Sequence, residues 1–369
     1  MAGIYFHIPF CKQRCSYCDF FSSTESRRKE KYVDTLCEEL TERKDYLQEP
    51  IETVYFGGGT PSLLSSSDFK KIFHTLYLIF GEDKSREITL EANPDDLTHE
   101  YLESINKLPF NRISIGIQSF DDRELRLLSR RHDAQSAIRA VKRLQQSGYS
   151  NISIDLMYGL PGQNLETWNK SLRHAIDLQI QHISAYHLTY EEGTLLYRQM
   201  KEDSLTPADE EMSNRLFEIL IDTLTAAGFE HYEISNFARS GFQSRHNTSY
   251  WNGTHYLGIG ASAHSYNGFS RQWNKKSLST DYWTLGHEIE ILDEKAKYND
   301  FVITRLRKMK GMDLNELTLL FGESRKAYCL QQARKSITNG LLLCKNNYLR
   351  LTRKGIFVSD GIMSDLLFL

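Results

Sequence analysis

Residues 5–20 read Tyr5-Phe6-His7-Ile8-Pro9-Phe10-Cys11-Lys12-Gln13-Arg14-Cys15-Ser16-Tyr17-Cys18-Asp19-Phe20, a short apolar strand running into three cysteines at C-x3-C-x2-C spacing. Three thiolates on one tight loop can hold three irons of a [4Fe-4S] cube and leave the fourth without a protein ligand, unlike the four-cysteine sets of electron-transfer ferredoxins. An iron in that state is open to a small molecule. Zinc would want a fourth ligand from a second Cys/His pair; His7 could serve, but no second pair stands at finger spacing. A disulfide framework fits less well, because six cysteines in 369 residues is sparse. Cys37, Cys329 and Cys344 are scattered among apolar or helical positions, as reduced structural thiols are.

A chain of 369 residues exceeds one core of ordinary size, so a large domain with a smaller appendage is expected. With 40% hydrophobic residues, 25% charged residues and a formal net charge of −3, the composition is globular and offers no basic field for nucleic acid. No apolar run reaches the roughly 20 residues of a membrane span, and no basic-then-apolar leader opens the sequence, so a cytoplasmic location is expected. Twenty tyrosines and nineteen phenylalanines would suit a cavity for a large flat ligand, although most will be ordinary core.

Beyond the cysteines, Val33, Leu36, Cys37 and Leu40 recur at helical spacing over 29–47. Thr53-Val54-Tyr55-Phe56 then forms a strand that ends in Gly57-Gly58-Gly59-Thr60-Pro61-Ser62, ahead of a helix around 69–80. Glycines there let a ligand lie against the backbone, although a glycine triplet is often only a tight turn. The same beat returns with strands over 87–93, 112–119, 151–158 and 182–190, and with helices carrying apolar faces between them. Six strands alternating with helices predict a parallel α/β architecture with right-handed crossovers. Cys11, Thr60, Glu91, Gln118 and Asp155 are expected at or just past the C-terminal ends of successive strands, the rim where barrel enzymes place their chemistry.

A helix from Asp209 to Gly228 follows. The stretch 232–283, rich in Asn, Gly, Ser, His and aromatics, reads as a long functional loop region with short strands. From about Tyr298, helices lead to two short strands about an Asn346-Asn347 turn, a winged-helix-like module. Such modules often bind DNA, but the charge favours packing or a protein partner here. The expected divisions are 1–230, 231–298 and 299–369.

The cysteine loop, the Gly57–Ser62 run, Ser114–Phe120 and Asp155–Gly162 together resemble the oxygen-independent coproporphyrinogen III oxidase family of radical S-adenosylmethionine (SAM) proteins, across essentially the whole chain. The resemblance implies a partial (β/α)6 TIM-like barrel with a small C-terminal α+β domain, and a [4Fe-4S] cluster on Cys11, Cys15 and Cys18 whose open iron chelates SAM. It implies SAM contacts from Tyr5, Tyr17, Gly58, Gly59, Thr60, Glu91, Gln118, Arg130 and Asp155, with Thr189 and His264 as weaker alignments. Glu91, Gln118 and Asp155 could bond the ammonium and ribose hydroxyls, and Arg130 the methionine carboxylate.

Oxidases proper carry a further cysteine where Phe20 stands, and an N-terminal extension before the strand that leads into the cysteines. The run His246-Asn247-Thr248-Ser249-Tyr250-Trp251 instead looks like the H-N-x-x-Y-W motif of a haem-chaperone branch. That branch implies haem as a third cofactor, transfer to client haemoproteins, and His246 as a candidate haem contact with His7 and His264 as rivals. Peripheral membrane association and a homodimer are further expectations, and oxidation of coproporphyrinogen III is the alternative function.

Overall fold

Strict alternation along each strand sets the shape of this computed structural model, which describes residues 1–279, 282–284 and 286–369. Six strands, β1 (Ala2–Ile8), β2 (Ile51–Gly58), β3 (Glu87–Ala92), β4 (Arg112–Gln118), β5 (Ile152–Tyr158) and β6 (His182–His187), lie side by side in chain order and all run parallel. One face is apolar: Ile4, Phe6, Val54, Phe56, Ile88, Leu90, Ile113, Ile115, Ile154 and Ile183 are buried. The residues between them, among them Tyr5, Tyr55, Thr89, Glu91, Arg112, Asp155, His182 and Ser184, form the other face. Parallel sheets sandwiched by helices are apolar on both faces, so the polar alternate set marks a face that lines an open barrel.

The helices that cover the apolar face start where the sequence provides caps. Ser65 and Asp68 form a capping box at the head of Ser66–Phe80, Asp133 caps Ala134–Gln146, and Asn164 caps Leu165–Asp177. Ala137, Ala140, Val141 and Leu144 give the second of these a buried stripe of helical period. Phe56 meets Phe69, Phe73 and Phe110 edge-on at 5.4–5.6 Å between ring centroids, fixing β2 beneath its helix.

The stretch 232–283 is more regular than a loop. Beyond β6 the sheet continues antiparallel through β8 (Asn236–Ala238) and then β7 (Glu230–Glu233). On its other side, β9 (His255–Ile259) pairs parallel with β1 and is followed by β10 (His264–Tyr266), β11 (Ser270–Trp273) and β12 (Glu288–Ile291). The H-N-x-x-Y-W run is a seven-residue helix, Arg245–Trp251, started by Ser244 accepting from the Asn247 amide. It is too short to show a period, which is why the sequence reads as loop there. It packs against β1 and β2 at their N-terminal ends, where His246 reaches Thr53.

The C-terminal part has helices Glu294–Leu306 and Leu314–Thr338, the latter interrupted at Gly322, where φ is 80°. A three-stranded antiparallel sheet accompanies them, and its hairpin turns on Asn346 and Asn347, both left-handed at φ 53° and 60°. Arg305 ties this part to the Arg245–Trp251 helix by donating to the Trp251 and Asn252 carbonyls at 2.7 and 2.9 Å and to Glu316 at 2.7 Å. No helix among the described residues is long and apolar enough to cross a membrane.

Candidate cofactor site

The cysteine loop leaves β1 and is fastened at several points. Cys11 N donates to Ser23 O at 2.9 Å, Ser16 Oγ donates to Leu127 O at 2.8 Å, and Gln13 Nε2 donates to Ser129 O at 3.1 Å. All three sulfurs are half-buried. Thr60 Oγ1 donates to Cys11 Sγ at 3.5 Å and Arg130 Nη1 to Cys15 Sγ at 3.3 Å. Asn93 closes the circuit: its Nδ2 donates to Thr60 Oγ1 at 3.0 Å while its Oδ1 accepts from Arg130. In the sequence Asn93 is only the end of a strand, and nothing in the spacing signals that it joins two cysteines. Arg130 also donates to the Gly116 carbonyl, so its two terminal nitrogens are committed to protein; only Nε, buried and without a partner, is left. Of the guanidinium expected to meet a methionine carboxylate, Nε is therefore the nitrogen with no bond inside the protein.

The strand-end residues converge, with one correction. Asp155 is the fourth of seven residues in β5, in mid-strand, and it points inward because of its place in the alternation. Glu91 lies one residue inside the end of β3, and Gln118 ends β4. Glu91 accepts from Tyr55 Oη at 2.6 Å and from Gly58 N at 3.3 Å. Burial pushes its carboxyl up to about 7, with the Asp155 charge adding to the rise and the Tyr55 bond opposing it. Burial likewise pushes Asp155 up to about 6 against a hydrogen bond from Ser184 and the charges of Arg112 and Arg130. Two carboxyls held this way are poised to take a cationic ligand. Gln118 sits at φ 72°, beside a register shift in β4, a strained conformation of the kind that over-determined sites retain.

Gly58 and Gly59 have a structural reason of their own. A Cβ on Gly58, whose φ is 107°, would stand 2.5 Å from the His7 ring, and one on Gly59 would stand 2.8 Å from the Ile8 carbonyl. The glycines let the end of β2 close on β1, and so set the cysteine loop against Thr60. Tyr17 packs beside Leu128, Met157, Leu160, Leu188 and Leu196 and feels the Arg130 charge. Thr189, just past β6, is exposed.

His246 does not occupy the place expected of a haem ligand. It is 1% exposed, its Nδ1 is bonded to Thr53 Oγ1 and its Nε2 to Tyr250 Oη, both at 2.8 Å, and its ring stacks on Tyr55 at 4.9 Å. Burial and the Arg112 charge lower it to about 3, so it is a neutral ring with both nitrogens spent. What its helix offers outward is Tyr250 and Trp251. These line a cavity of about 900 Å³ bounded by Phe20 and Phe21 beyond the cysteines, by His264 and Arg271 on the sheet extension, and by Lys297 and Phe321 of the C-terminal helices. Of the expected SAM contacts, Tyr5 and the weakly aligned His264 reach it. The cavity therefore adjoins the cysteine loop and the SAM-contact rim without coinciding with them.

Comparison with known proteins places this arrangement. The Radical SAM superfamily profile matches residues 5–175 and the HemN C-terminal domain profile matches residues 292–358. The haem chaperone HemW of Lactococcus lactis is 31% identical over 368 residues, covering 98% of this chain and 96% of that protein. The haem chaperone HemW of Bacillus subtilis is also 31% identical, over 383 residues that cover 100% of this chain and 99% of that one. The chain belongs to the HemW branch of the HemN-like radical SAM family. The coproporphyrinogen III oxidase HemN of Escherichia coli shares its fold, with a TM-score of 0.84 at 22% identity over 99% of this chain and 89% of that one.

Radical SAM membership implies a [4Fe-4S] cluster and SAM, and the residues present fit both. Burial pushes Cys18 up to about 11 and raises Cys11, with the neighbouring cysteines adding to each shift. Thiols crowded in this way give up their protons to a cation seated among them. Among the described residues no three Cys, His, Asp or Glu converge on a single-ion point, whereas a cube meets its thiolates at separate corners. The unpartnered Arg130 Nε and the paired Glu91 and Asp155 suit a zwitterionic ligand beside the cluster.

Proposed function

We propose that this protein is a haem chaperone built on a radical SAM scaffold, which binds a [4Fe-4S] cluster, SAM and haem and passes haem to client haemoproteins in the cytoplasm. The observation that carries the reading is the cavity of about 900 Å³, within the roughly 300–1,000 Å³ range of cofactor sites. Its wall combines flat aromatics with Arg271, Lys297 and Arg305, set among Glu294 and Asp300; the aromatics suit a porphyrin plane and the cations its propionates.

In this reading Cys11, Cys15 and Cys18 hold the cluster, which when bound supplies single electrons and an iron open to SAM. Asn93 keeps Thr60 and Arg130 aimed at the sulfurs. Tyr5, Tyr17, Gly58, Gly59, Thr60, Glu91, Gln118, Arg130 and Asp155 would form the SAM rim; Glu91 would face the ammonium in its ionised form, its proton released to solvent and its charge stabilised by the Tyr55 hydroxyl. Tyr250, Trp251 and Phe20 supply faces for the porphyrin. Arg271, now bonded to Glu290 at 3.2 Å and to Asp300, and Lys297, bonded to Glu294 at 3.3 Å, are the cations available to its propionates.

The test is anaerobic titration of the reconstituted protein with haem, followed by mixing with a haem-free acceptor haemoprotein. The expected result is one haem per chain and its appearance in the acceptor. Weak, non-saturating binding with no transfer would overturn the reading.

A further inference from the structure

His7 and His264 line the cavity and His246 stands behind its wall, and hydrogen bonding separates these three. His7 Nε2 is bonded to the Phe21 carbonyl at 2.8 Å and its Nδ1 to Tyr5 Oη at 3.2 Å. His246 is sealed in, with both nitrogens bonded as described above. His264 opens β10 and lines the cavity, and among the described residues neither of its ring nitrogens has a hydrogen-bond partner.

Its ring is nonetheless held in place. His264 is the cross-strand partner of Trp273, and the two rings stack at 5.8 Å with an interplanar angle of 21°. Trp273 is anchored in turn, its Nε1 donating to Glu288 Oε2 at 2.9 Å. The backbone is fixed too: a Cβ on Gly258 would fall 2.1 Å from the His264 carbonyl oxygen, so a glycine there is what allows β10 to close on β9. The Trp273 stack fixes the ring while both nitrogens stay uncommitted, so one lone pair can meet a metal and the other N–H is left for the hydrogen bond that usually steadies such a ligand, here from water. Burial, together with the cationic Lys276 and Arg271, lowers its proton affinity and keeps the imidazole in the neutral form that coordinates iron.

We infer that His264 is the protein ligand to the iron of haem held in this cavity, donating an imidazole nitrogen lone pair, and that His246 is a positioning residue which sets Tyr250 against the porphyrin. The inference rests on the haem-chaperone reading and adds the atom that binds. Haem iron commonly takes a histidine in this role. Arg271, seven residues on along the same hairpin, stands on the same wall of the cavity, so one element would present both an iron ligand and a propionate partner.

The test uses the full chain with its cluster reconstituted, titrated anaerobically with ferric haem and read by the Soret band, electron paramagnetic resonance and affinity. His264→Ala should weaken binding at least about tenfold and abolish the histidine-ligated spectrum, and added imidazole should restore that spectrum. His264→Met, which keeps a ligand in place, should bind with a spectrum shifted toward thioether ligation. His246→Ala should lower affinity while the spectrum stays that of a histidine complex, and His74→Ala, on the exposed face of the Ser66–Phe80 helix, should change neither. A His264→Ala spectrum and affinity equal to those of the unsubstituted chain would overturn the assignment and leave the chaperone reading standing. If the unsubstituted chain takes up no stoichiometric haem, the chaperone reading falls and the ligand assignment with it, a failure visible before any substitution is made.

Discussion

Replacing Glu91 with glutamine should remove a pH-dependent penalty that the cluster-free protein carries inside its barrel. Burial pushes this carboxyl from 4.5 up to about 7, so between those values the folded chain retains a proton that the unfolded chain has released. Stability therefore falls as pH rises through that window, and the loss is complete above about pH 7. Integrated from pH 5 to pH 8, the loss is about 2.5 kcal/mol, of which about 1.3 kcal/mol falls above pH 6. Water in the open barrel makes these upper values.

Other groups overlie this effect. Asp155, pushed from 3.8 to about 6 by burial, contributes a loss of the same sign at lower pH. His7 and His132, lowered to about 4, and His246, lowered to about 3, work in the opposite direction, since the folded chain refuses protons that the unfolded chain binds up to about 6.5. The informative quantity is thus the difference between wild type and Glu91→Gln, in which the other groups largely cancel. Urea unfolding of both reduced, cluster-free proteins at pH 5, 6, 7 and 8 measures it. The variant should gain up to about 2.5 kcal/mol on the wild type across that range. A difference that stays flat with pH would refute the placement of a buried, proton-retaining carboxyl in the barrel.

Asn93→Ala should leave the fold intact and lower cluster retention about tenfold, because Thr60 and Arg130 lose the side chain that aims them; iron and sulfide content after timed exposure to a chelator reads this. Gly58→Ala should destabilise the chain by about 2–3 kcal/mol, through a left-handed φ and a Cβ at 2.5 Å from the His7 ring. Thermal unfolding measures that cost, and the same variant should reconstitute cluster poorly, because the end of β2 can no longer close on the cysteine loop.

The parallel strands were legible because each is a short, β-branched-rich run ending in glycines or polar residues, and the caps at Ser65, Asp133 and Asn164 are local signals. The polar alternate face was equally present in the letters, in Thr53-Val54-Tyr55 and Ser153-Ile154-Asp155, but its meaning depends on the sheet curving around a lumen. For the same reason Asp155 was expected at a strand end although it works from mid-strand. The pairing of β9 with β1 joins residues about 250 apart, and no local pattern encodes it. Asn93 was invisible because its side-chain partners, Thr60 and Arg130, come from two separate segments. His246 shows the opposite limit: its motif marks the place, yet only the bonds to Thr53 and Tyr250 reveal that it supports the cavity wall from behind.

Giving cluster-reconstituted, SAM-loaded protein coproporphyrinogen III and a reductant under anaerobic conditions, with a parallel sample given haem and a haem-free acceptor, separates haem delivery from porphyrinogen oxidation. Haem should appear in the acceptor, with no decarboxylated porphyrin by chromatography after oxidation. Protoporphyrin accumulating over many turnovers would contradict that expectation, and would make this chain an oxidase that works with Phe20 in place of the further cysteine.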